Sequence, residues 1–202
     1  MKRTKLAGAI CLLLAATSLG TAWSAEIGRA TVGGKEVILD DNNTWSYAQA
    51  AATAADCKPI KSEVLPVGVC LDPKGWALAN LEGAAEQSFK RSDAEYYLML
   101  ITEKDFFDLP TLKKALLTNA QNAAGLEKVK TLQDTTATVD GQEFGKIVYQ
   151  TIIDGLDVTY ENYYMGLEGK GSVQFVFFAT TIDYPNFRSL IDEAVAGIEV
   201  EG

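Results

Sequence analysis

The residues of this sequence that could carry out chemistry are its acids and its cysteines. The chain of 202 residues contains 27 Asp and Glu residues, three Cys residues and no His. Without imidazole, Ser-His-Asp and Cys-His nucleophilic sites and zinc sites with His ligands are excluded. The usual Gly-rich phosphate-binding loops are also absent from the sequence. We therefore expect no catalytic, cofactor-binding or metal-binding residues.

Chemistry that needs only carboxylates remains open, because glycoside hydrolysis uses two acids that flank the scissile bond. Asp154, Asp157 and Glu161 lie close together in the sequence. A turn explains Asp154, however, and an exposed strand face explains the other two acids. We expect a protein that is not an enzyme, and we keep a carboxylate-dependent hydrolase as the second alternative function.

The first 24 residues have the layout of a cleavable signal peptide. Lys2, Arg3 and Lys5 precede an apolar stretch over residues 6–19, and small residues follow up to Ser24. The apolar stretch is shorter than the roughly 20 residues that a membrane-spanning helix needs. We expect cleavage after Ser24, a periplasmic or secreted protein, and no transmembrane segment in the mature chain.

The remaining chain is acidic, which bears on its partners. The whole chain has a formal net charge of −9 at pH 7, and cleavage would remove three basic residues and no acidic one. Nucleic acids bind proteins through clustered Lys and Arg side chains, which an acidic protein does not favour. We expect another envelope protein as the partner and no nucleic acid.

Cys57 and Cys70 are the two cysteines that remain after the predicted cleavage, since Cys11 lies in the signal peptide. An even pair in an exported protein predicts a disulfide, because disulfides persist outside the cytoplasm. The two residues do not have the Cys-x-x-Cys spacing in which one thiol is activated for redox chemistry. We therefore predict a structural disulfide between Cys57 and Cys70.

Two short segments precede the main domain. Residues 25–47 contain short alternating runs separated by Gly33-Gly34 and by a cluster of Asp and Asn, which predicts a small β-meander. Residues 48–70 begin with an Ala-rich stretch and continue with the two cysteines and two prolines. We interpret residues 48–70 as a linker and a disulfide loop.

Residues 71–202 have the pattern of one α+β domain. Asp108 and Gly125 bracket an apolar stripe at helical spacing, and Asp140-Gly141 and Asp154-Gly155 separate alternating runs as hairpin turns do. The predicted elements are a hairpin over 76–81 and 85–90, a strand over 95–102, a helix over 109–124, strands over 128–139, 142–153, 156–165 and 172–181, and a helix over 184–198.

Several of these strands are apolar on both faces. Residues 144–153 and 173–178 carry large apolar side chains at odd and even positions alike. A sheet with both faces apolar needs a covering layer on each side. We predict an α+β fold, an α/β/α sandwich with a largely antiparallel sheet, preceded by the β-meander.

This order of elements resembles the family of PsbP, the extrinsic protein P of photosystem II, which includes exported bacterial proteins of unknown function. The similar segments are GWALANL (75–81), EYYLMLIT (95–102) followed by DLPTLKKALL (108–117), and VQFVFFATT (173–181). The resemblance covers about residues 71–200. It implies an α/β/α sandwich that binds and stabilises partners without catalysis, and it implies no functional residue.

Tyrosines are dense near the end of the domain, and such residues are frequent in binding patches. Our candidate partner surface consists of Tyr160, Glu161, Tyr163 and Tyr164. Strand alternation places Tyr160 and Tyr164 on one face and Glu161 and Tyr163 on the other, and we expect Tyr163 to be the most exposed.

The leading hypothesis from the sequence is an exported, non-catalytic interaction module that binds another envelope protein. The first alternative is a small-molecule or lipid binding protein that uses a cleft between the sheet and a helix. In that alternative the aromatic residues would line the cleft.

Overall fold

The part of the chain that a computed structural model describes consists of residues 26–32, 35–40, 45–47, 57–81, 83–126 and 129–201. The chain divides into two units, one ending at Ala48 and the other beginning at Gln49. The predicted signal peptide, with its cleavage site after Ser24, lies outside the described residues and stays a prediction.

The first unit contains a three-stranded antiparallel sheet in the order β1-β2-β3. Its strands are β1 (Glu26–Val32), β2 (Lys35–Asp40) and β3 (Trp45–Tyr47). Val32 pairs with Lys35, the register that a two-residue connection produces. The predicted β-meander is confirmed.

The second unit contains ten strands and two helices among its described residues. They are β4 (Lys58–Lys61), β5 (Val67–Leu71), β6 (Trp76–Ala79), β7 (Gln87–Arg91), β8 (Tyr97–Glu103), α1 (Leu109–Ala124), β9 (Lys130–Val139), β10 (Gln142–Ile153), β11 (Leu156–Leu167), β12 (Gly171–Thr180), α2 (Tyr184–Ala196) and β13 (Ile198–Val200).

These strands form a seven-stranded sheet in the order β6-β7-β8-β12-β11-β10-β9 and a three-stranded sheet in the order β13-β5-β4. All pairs between the described strands are antiparallel. The predicted α+β class with a largely antiparallel sheet is confirmed.

The two Asp-Gly turns have the backbone that their residue types favour. Asp140 and Gly141 have φ angles of 48° and 72°, and Asp154 and Gly155 have φ angles of 50° and 80°. Two successive left-handed residues make the hairpin turn that matches the twist of the flanking strands. These turns fix the register of β9, β10 and β11.

Helix α1 begins and ends at the residues that its sequence indicates. The Asp108 side chain accepts a hydrogen bond from the backbone N–H of Thr111 at 2.9 Å, and Pro110 lies in the first turn. Gly125 ends the helix in the left-handed conformation, with φ 63°. Helix α2 ends earlier than we predicted, because Ile198 pairs with Val69 in the small sheet.

The two faces of the seven-stranded sheet have different covering layers. On one, here called the α1 face, Leu112 and Leu116 of α1 pack against Ile147 and Tyr164. The other, here called the α2 face, packs against α2, and Phe187 of this helix belongs to the larger core cluster. Helices cover both faces, as predicted, and the small sheet adds buried side chains on the α2 face.

A disulfide joins Cys57 and Cys70, with 5.3 Å between their Cα atoms, and the predicted bond is confirmed. Pro59, two residues after the first cysteine, pairs with Cys70 across β4 and β5. The stretch that we interpreted as a linker and loop therefore contains two strands, and Val67 and Val69 of β5 are buried in the larger core.

Candidate ligand-binding site

The four residues of the predicted partner surface do not form one exposed surface. The exposed fractions of Glu161, Tyr163 and Tyr164 are 0%, 3% and 2%, and Tyr160 is half-buried. The prediction that Tyr163 is exposed is wrong. Its strand, β11, lies between β10 and β12, and the ring of Tyr163 packs edge-on against Phe177.

On the α2 face, the buried carboxylate of Glu161 is surrounded by hydrogen-bond donors. Lys146 Nζ lies 2.7 Å from Oε1, and Arg188 Nη1 lies 2.9 Å from Oε2. The hydroxyl group of Tyr163 donates to Oε1 at 2.9 Å, and that of Tyr184 donates to Oε2. Both oxygens of the carboxylate are thus paired twice.

This environment keeps Glu161 ionised. Burial acts to raise the pKa of Glu161, but the hydrogen bonds from Lys146 and Tyr184 and the positive charge of Arg188 outweigh burial and lower the pKa below its usual value. The general acid of a glycosidase needs a raised pKa instead. Asp154 and Asp157 are exposed, so these three acids offer no support for a hydrolase.

On the α1 face, a cleft of about 290 Å³ lies between α1 and the sheet. The residues of α1 that line it after Leu116 include Ala120 and Ala123, whose short side chains leave space above the strands. The floor comes from four adjacent strands and includes Met99, Tyr149, Thr151, Tyr160, Asn162 and Val176.

Two oxygens of the cleft residues are buried without a hydrogen-bond partner in the described part of the chain, Thr151 Oγ1 and Asn162 Oδ1. The exposed fractions of the two residues are 5% and 2%. The other polar atom of the amide, Asn162 Nδ2, donates to Gln174 Oε1 at 3.0 Å. An unpaired buried polar group costs about 1–3 kcal/mol, so each unpaired oxygen calls for an explanation.

A row of four stacked rings crosses the α1 face, and we call it the aromatic ladder. Its members on β8, β12, β11 and β10 are Tyr97, Phe178, Tyr160 and Tyr149. The centroids of neighbouring rings are 4.9, 5.1 and 5.1 Å apart. Tyr149 and Tyr160 line the cleft, and burial raises the pKa of both hydroxyl groups, so they stay uncharged.

Sequence reasoning singled out Tyr160 but missed Tyr149, Thr151 and Asn162. The two polar residues interrupt the mostly apolar and aromatic side chains that β10 and β11 direct toward α1. That interruption is the pattern from which the site could have been predicted. What the sequence does not reveal is that neither oxygen has a protein partner in the described residues, because this depends on the packing of α1.

A second, mostly apolar groove of about 440 Å³ lies between β4 and β6. Ile60, Trp76 and Phe89 line it together with Leu78, whose exposed fraction is 74%. Both β4 and β6 are edge strands, each paired on one side within its sheet. An open edge presents unpaired backbone N–H and C=O groups.

The described residues also bear on metal binding and on membrane insertion. They contain no group of three or more His, Cys, Asp or Glu side chains placed to hold a metal ion. Neither helix of that part of the chain has the length and apolar character needed to cross a membrane.

Comparison with known proteins gives matches among solved structures. No family model matches the sequence, and no curated protein matches it. The solution structure of cyanobacterial PsbP from Synechocystis has 10% identity and a TM-score of 0.55, covering 76% of this chain and 98% of that one. LpqN, involved in cell envelope biogenesis of Mycobacterium tuberculosis, has 12% identity and a TM-score of 0.48, covering 72% and 91%. The fold of this chain is PsbP-like, as the resemblance in its sequence implied.

Proposed function

We propose that this chain is an exported, non-catalytic binding protein of the bacterial envelope, which holds a small organic molecule in the cleft under α1. The observation that carries this proposal is the cleft itself, about 290 Å³ between α1 and the sheet, lined by apolar and aromatic side chains that include Met99, Tyr149 and Val176.

The composition of the cleft supports the same function. Small-molecule sites are concave, mostly apolar and equipped with a few polar groups that orient the ligand. Here Leu116, Met99 and Val176 provide apolar walls, and Asn119 and Gln174 provide polar groups. A volume of about 290 Å³ is just below the range for ligand pockets, roughly 300–1,000 Å³, so the ligand is small.

The lack of side chains suited to catalysis supports ligand binding rather than substrate turnover. The sequence has no histidine, its two mature cysteines form a disulfide, and Glu161 is held by two cations. The leader-like residues 1–24 support export, and envelope lipids and metabolites are the small molecules that an exported protein meets.

Native mass spectrometry of the freshly purified full-length product tests the proposal. We expect a bound small molecule to add mass to the wild-type protein. Ala120→Phe fills the cleft and should abolish the added mass, whereas Ala115→Phe, at an exposed position of α1, should keep it. No added mass in the wild-type protein, or the same added mass in Ala120→Phe, would contradict binding in the cleft.

A second candidate function is binding of another envelope protein at the groove between β4 and β6. The exposed Leu78 and the open edge of β6 favour it. An extended segment of a partner could add to β6 as a further strand, with apolar side chains in the groove. The partner chemistry is therefore an extended, apolar peptide segment.

A pull-down from envelope extract with matched variants tests this second function. Leu78→Lys should lose a protein that both the wild type and Ile152→Lys capture, because Ile152 is an exposed apolar residue of β10, outside the groove. Capture of no protein, or equal capture by Leu78→Lys, would contradict it. Neither result bears on the cleft under α1.

A further inference from the structure

We propose that the outer edge of β9 pairs antiparallel with the same edge of a second copy of this chain, which produces a symmetric dimer with one continuous sheet. The dimer is independent of the cleft under α1 and of the groove between β4 and β6. The length and exposure of β9, the direction of its backbone groups and the positions of its charges carry this inference.

Strand β9 is a long open edge of the second unit. It lies at the end of the seven-stranded sheet, where β10 is its partner among the described strands. It has ten residues, whereas the other edge strands of this unit, β4, β6 and β13, have four, four and three. All residues of β9 except Ala137 and Val139 are exposed. Such an edge presents unpaired backbone groups to another strand.

The features that commonly block an open edge are confined to one end of β9. Proteins protect such edges with prolines, bulges and charged side chains. The bulge in β9 lies at Leu132, and residues 133–139 pair with β10 without interruption. These residues include no Pro, Lys or Arg, and their charged residue, Asp134, forms an ion pair with Lys113 of α1 at 3.0 Å. Residues 133–139 are therefore regular and open to a partner.

The hairpin turn determines which backbone groups of β9 point outward. Val139 and Gln142 flank the two-residue turn, so they share the hydrogen bonds that close it. Because hydrogen-bonded and non-hydrogen-bonded pairs alternate along an antiparallel ladder, every second residue of β9 directs its N–H and C=O groups away from β10. These residues are Asp134, Thr136 and Thr138. The Thr136 carbonyl accepts from the Thr135 hydroxyl group at 3.5 Å, a long contact that leaves a lone pair for a strand partner.

The outward-facing residues fit a second copy in one register. With a two-fold axis at Thr136, this residue pairs with its own copy, and Asp134 pairs with Thr138 of the second copy. A shift toward the start of β9 places two Asp134 side chains opposite each other, and directly opposed like charges destabilise a strand pair. A shift the other way shortens the paired segment, because β9 ends at Val139. The charges and the strand end thus favour the axis at Thr136, and a two-fold axis is the commonest symmetry of homo-oligomers.

Sedimentation equilibrium of the purified protein over a range of concentrations tests the dimer. We expect a monomer–dimer equilibrium for the wild type. Thr136→Pro removes an N–H group that points away from β10, so it should leave the hairpin intact and raise the dissociation constant of the dimer at least about tenfold. Thr136→Val keeps this N–H group and should keep the dimer. A wild-type protein that is monomeric at all concentrations, or a Thr136→Pro dimer as tight as that of the wild type, would overturn the proposal.

Cysteine cross-linking tests the register without a proline in the strand. The Cα atoms of a hydrogen-bonded pair are about 5.5 Å apart, a distance that a disulfide bridges. Thr136→Cys should therefore form a covalent dimer on mild oxidation. Thr135→Cys lies diagonally opposite its copy at about 7–8 Å and should not, and nor should the wild type. No covalent dimer of Thr136→Cys, or equal cross-linking of Thr135→Cys, would overturn the pairing of β9 about Thr136.

Discussion

The two faces of the seven-stranded sheet differ in whether their buried polar groups have hydrogen-bond partners. On the α2 face, the carboxylate of Glu161 has four donors around it. On the α1 face, Thr151 Oγ1 and Asn162 Oδ1 have none among the described residues. Satisfied polar groups stabilise a unique packing, whereas unsatisfied ones cost stability until something pairs with them.

The two helices differ in how closely they pack on the sheet. Phe187 and Ile191 of α2 are fully buried, and Phe187 stacks on Tyr96 with centroids 4.5 Å apart. Helix α1 places Ala120 and Ala123 over the sheet instead and leaves a cleft there. The α2 face therefore serves stability, and the α1 face is the one to which we assign the proposed binding function.

Removing the charge of Glu161 should have the largest effect on stability. Glu161→Gln leaves Lys146 and Arg188 without their carboxylate, and breaking a buried ion pair costs about 3–5 kcal/mol. Urea unfolding at neutral pH measures the loss in the free energy of unfolding. Glu143→Gln, an exposed acid on β10, should change it by less than about 0.5 kcal/mol.

Low pH should lower the free energy of unfolding of the wild-type protein, because it protonates Glu161. Because the pKa of Glu161 is lowered in the folded state, its contribution is present above the usual Glu pKa and is lost as the pH falls through the folded pKa. The unfolding free energy of Glu161→Gln should therefore fall less steeply below pH ~4.5. If the free energy of unfolding falls equally in the two proteins as the pH decreases, the ion pairs of Glu161 do not stabilise the fold.

Inserting a phenyl ring on each helix compares the packing of the two faces. Ala194 of α2 is buried in the larger core, so Ala194→Phe should lower the free energy of unfolding by about 1–3 kcal/mol through overpacking. Ala120→Phe has the cleft to occupy and should cost less than about 1 kcal/mol. If urea unfolding shows the same loss in the free energy of unfolding for both variants, the cleft has no room for a phenyl ring.

Much of this architecture could be predicted from local residue patterns. Asp140-Gly141, Asp154-Gly155, Asp108 and Gly125 act through their own backbone angles or caps, so the turns and α1 were predictable. In contrast, β13 has three residues, and its pairing with β5 connects residues far apart in the sequence. A short non-local strand leaves no periodic pattern.

The candidate site was predictable only in part, for a related reason. Alternation along β11 correctly separated Tyr160 from Tyr163, but it does not tell how closely each face is covered. Tyr163 is buried because its ring packs against Phe177 and its hydroxyl group donates to the buried carboxylate of Glu161. The space under Ala120 likewise depends on where α1 lies over the sheet, which no local pattern specifies.

Replacing one threonine on each face should change stability in opposite directions. Thr159, on the α2 face, is fully buried, and its Oγ1 lies 3.0 Å from Thr181 Oγ1 and accepts from Gln150 Nε2 at 3.3 Å. Thr159→Val should lower the free energy of unfolding by about 1 kcal/mol, because these hydrogen bonds are lost. Thr151→Val removes an oxygen that has no partner in the described chain and should raise it by about 1 kcal/mol.

The same urea titration of ligand-free protein measures both changes, and Thr135→Val on β9 provides a matched exposed control. A loss of stability in Thr151→Val would mean that its hydroxyl group already has a hydrogen-bond partner in the folded protein. A gain in stability would show that this hydroxyl group destabilises the fold, because it is buried without a hydrogen-bond partner.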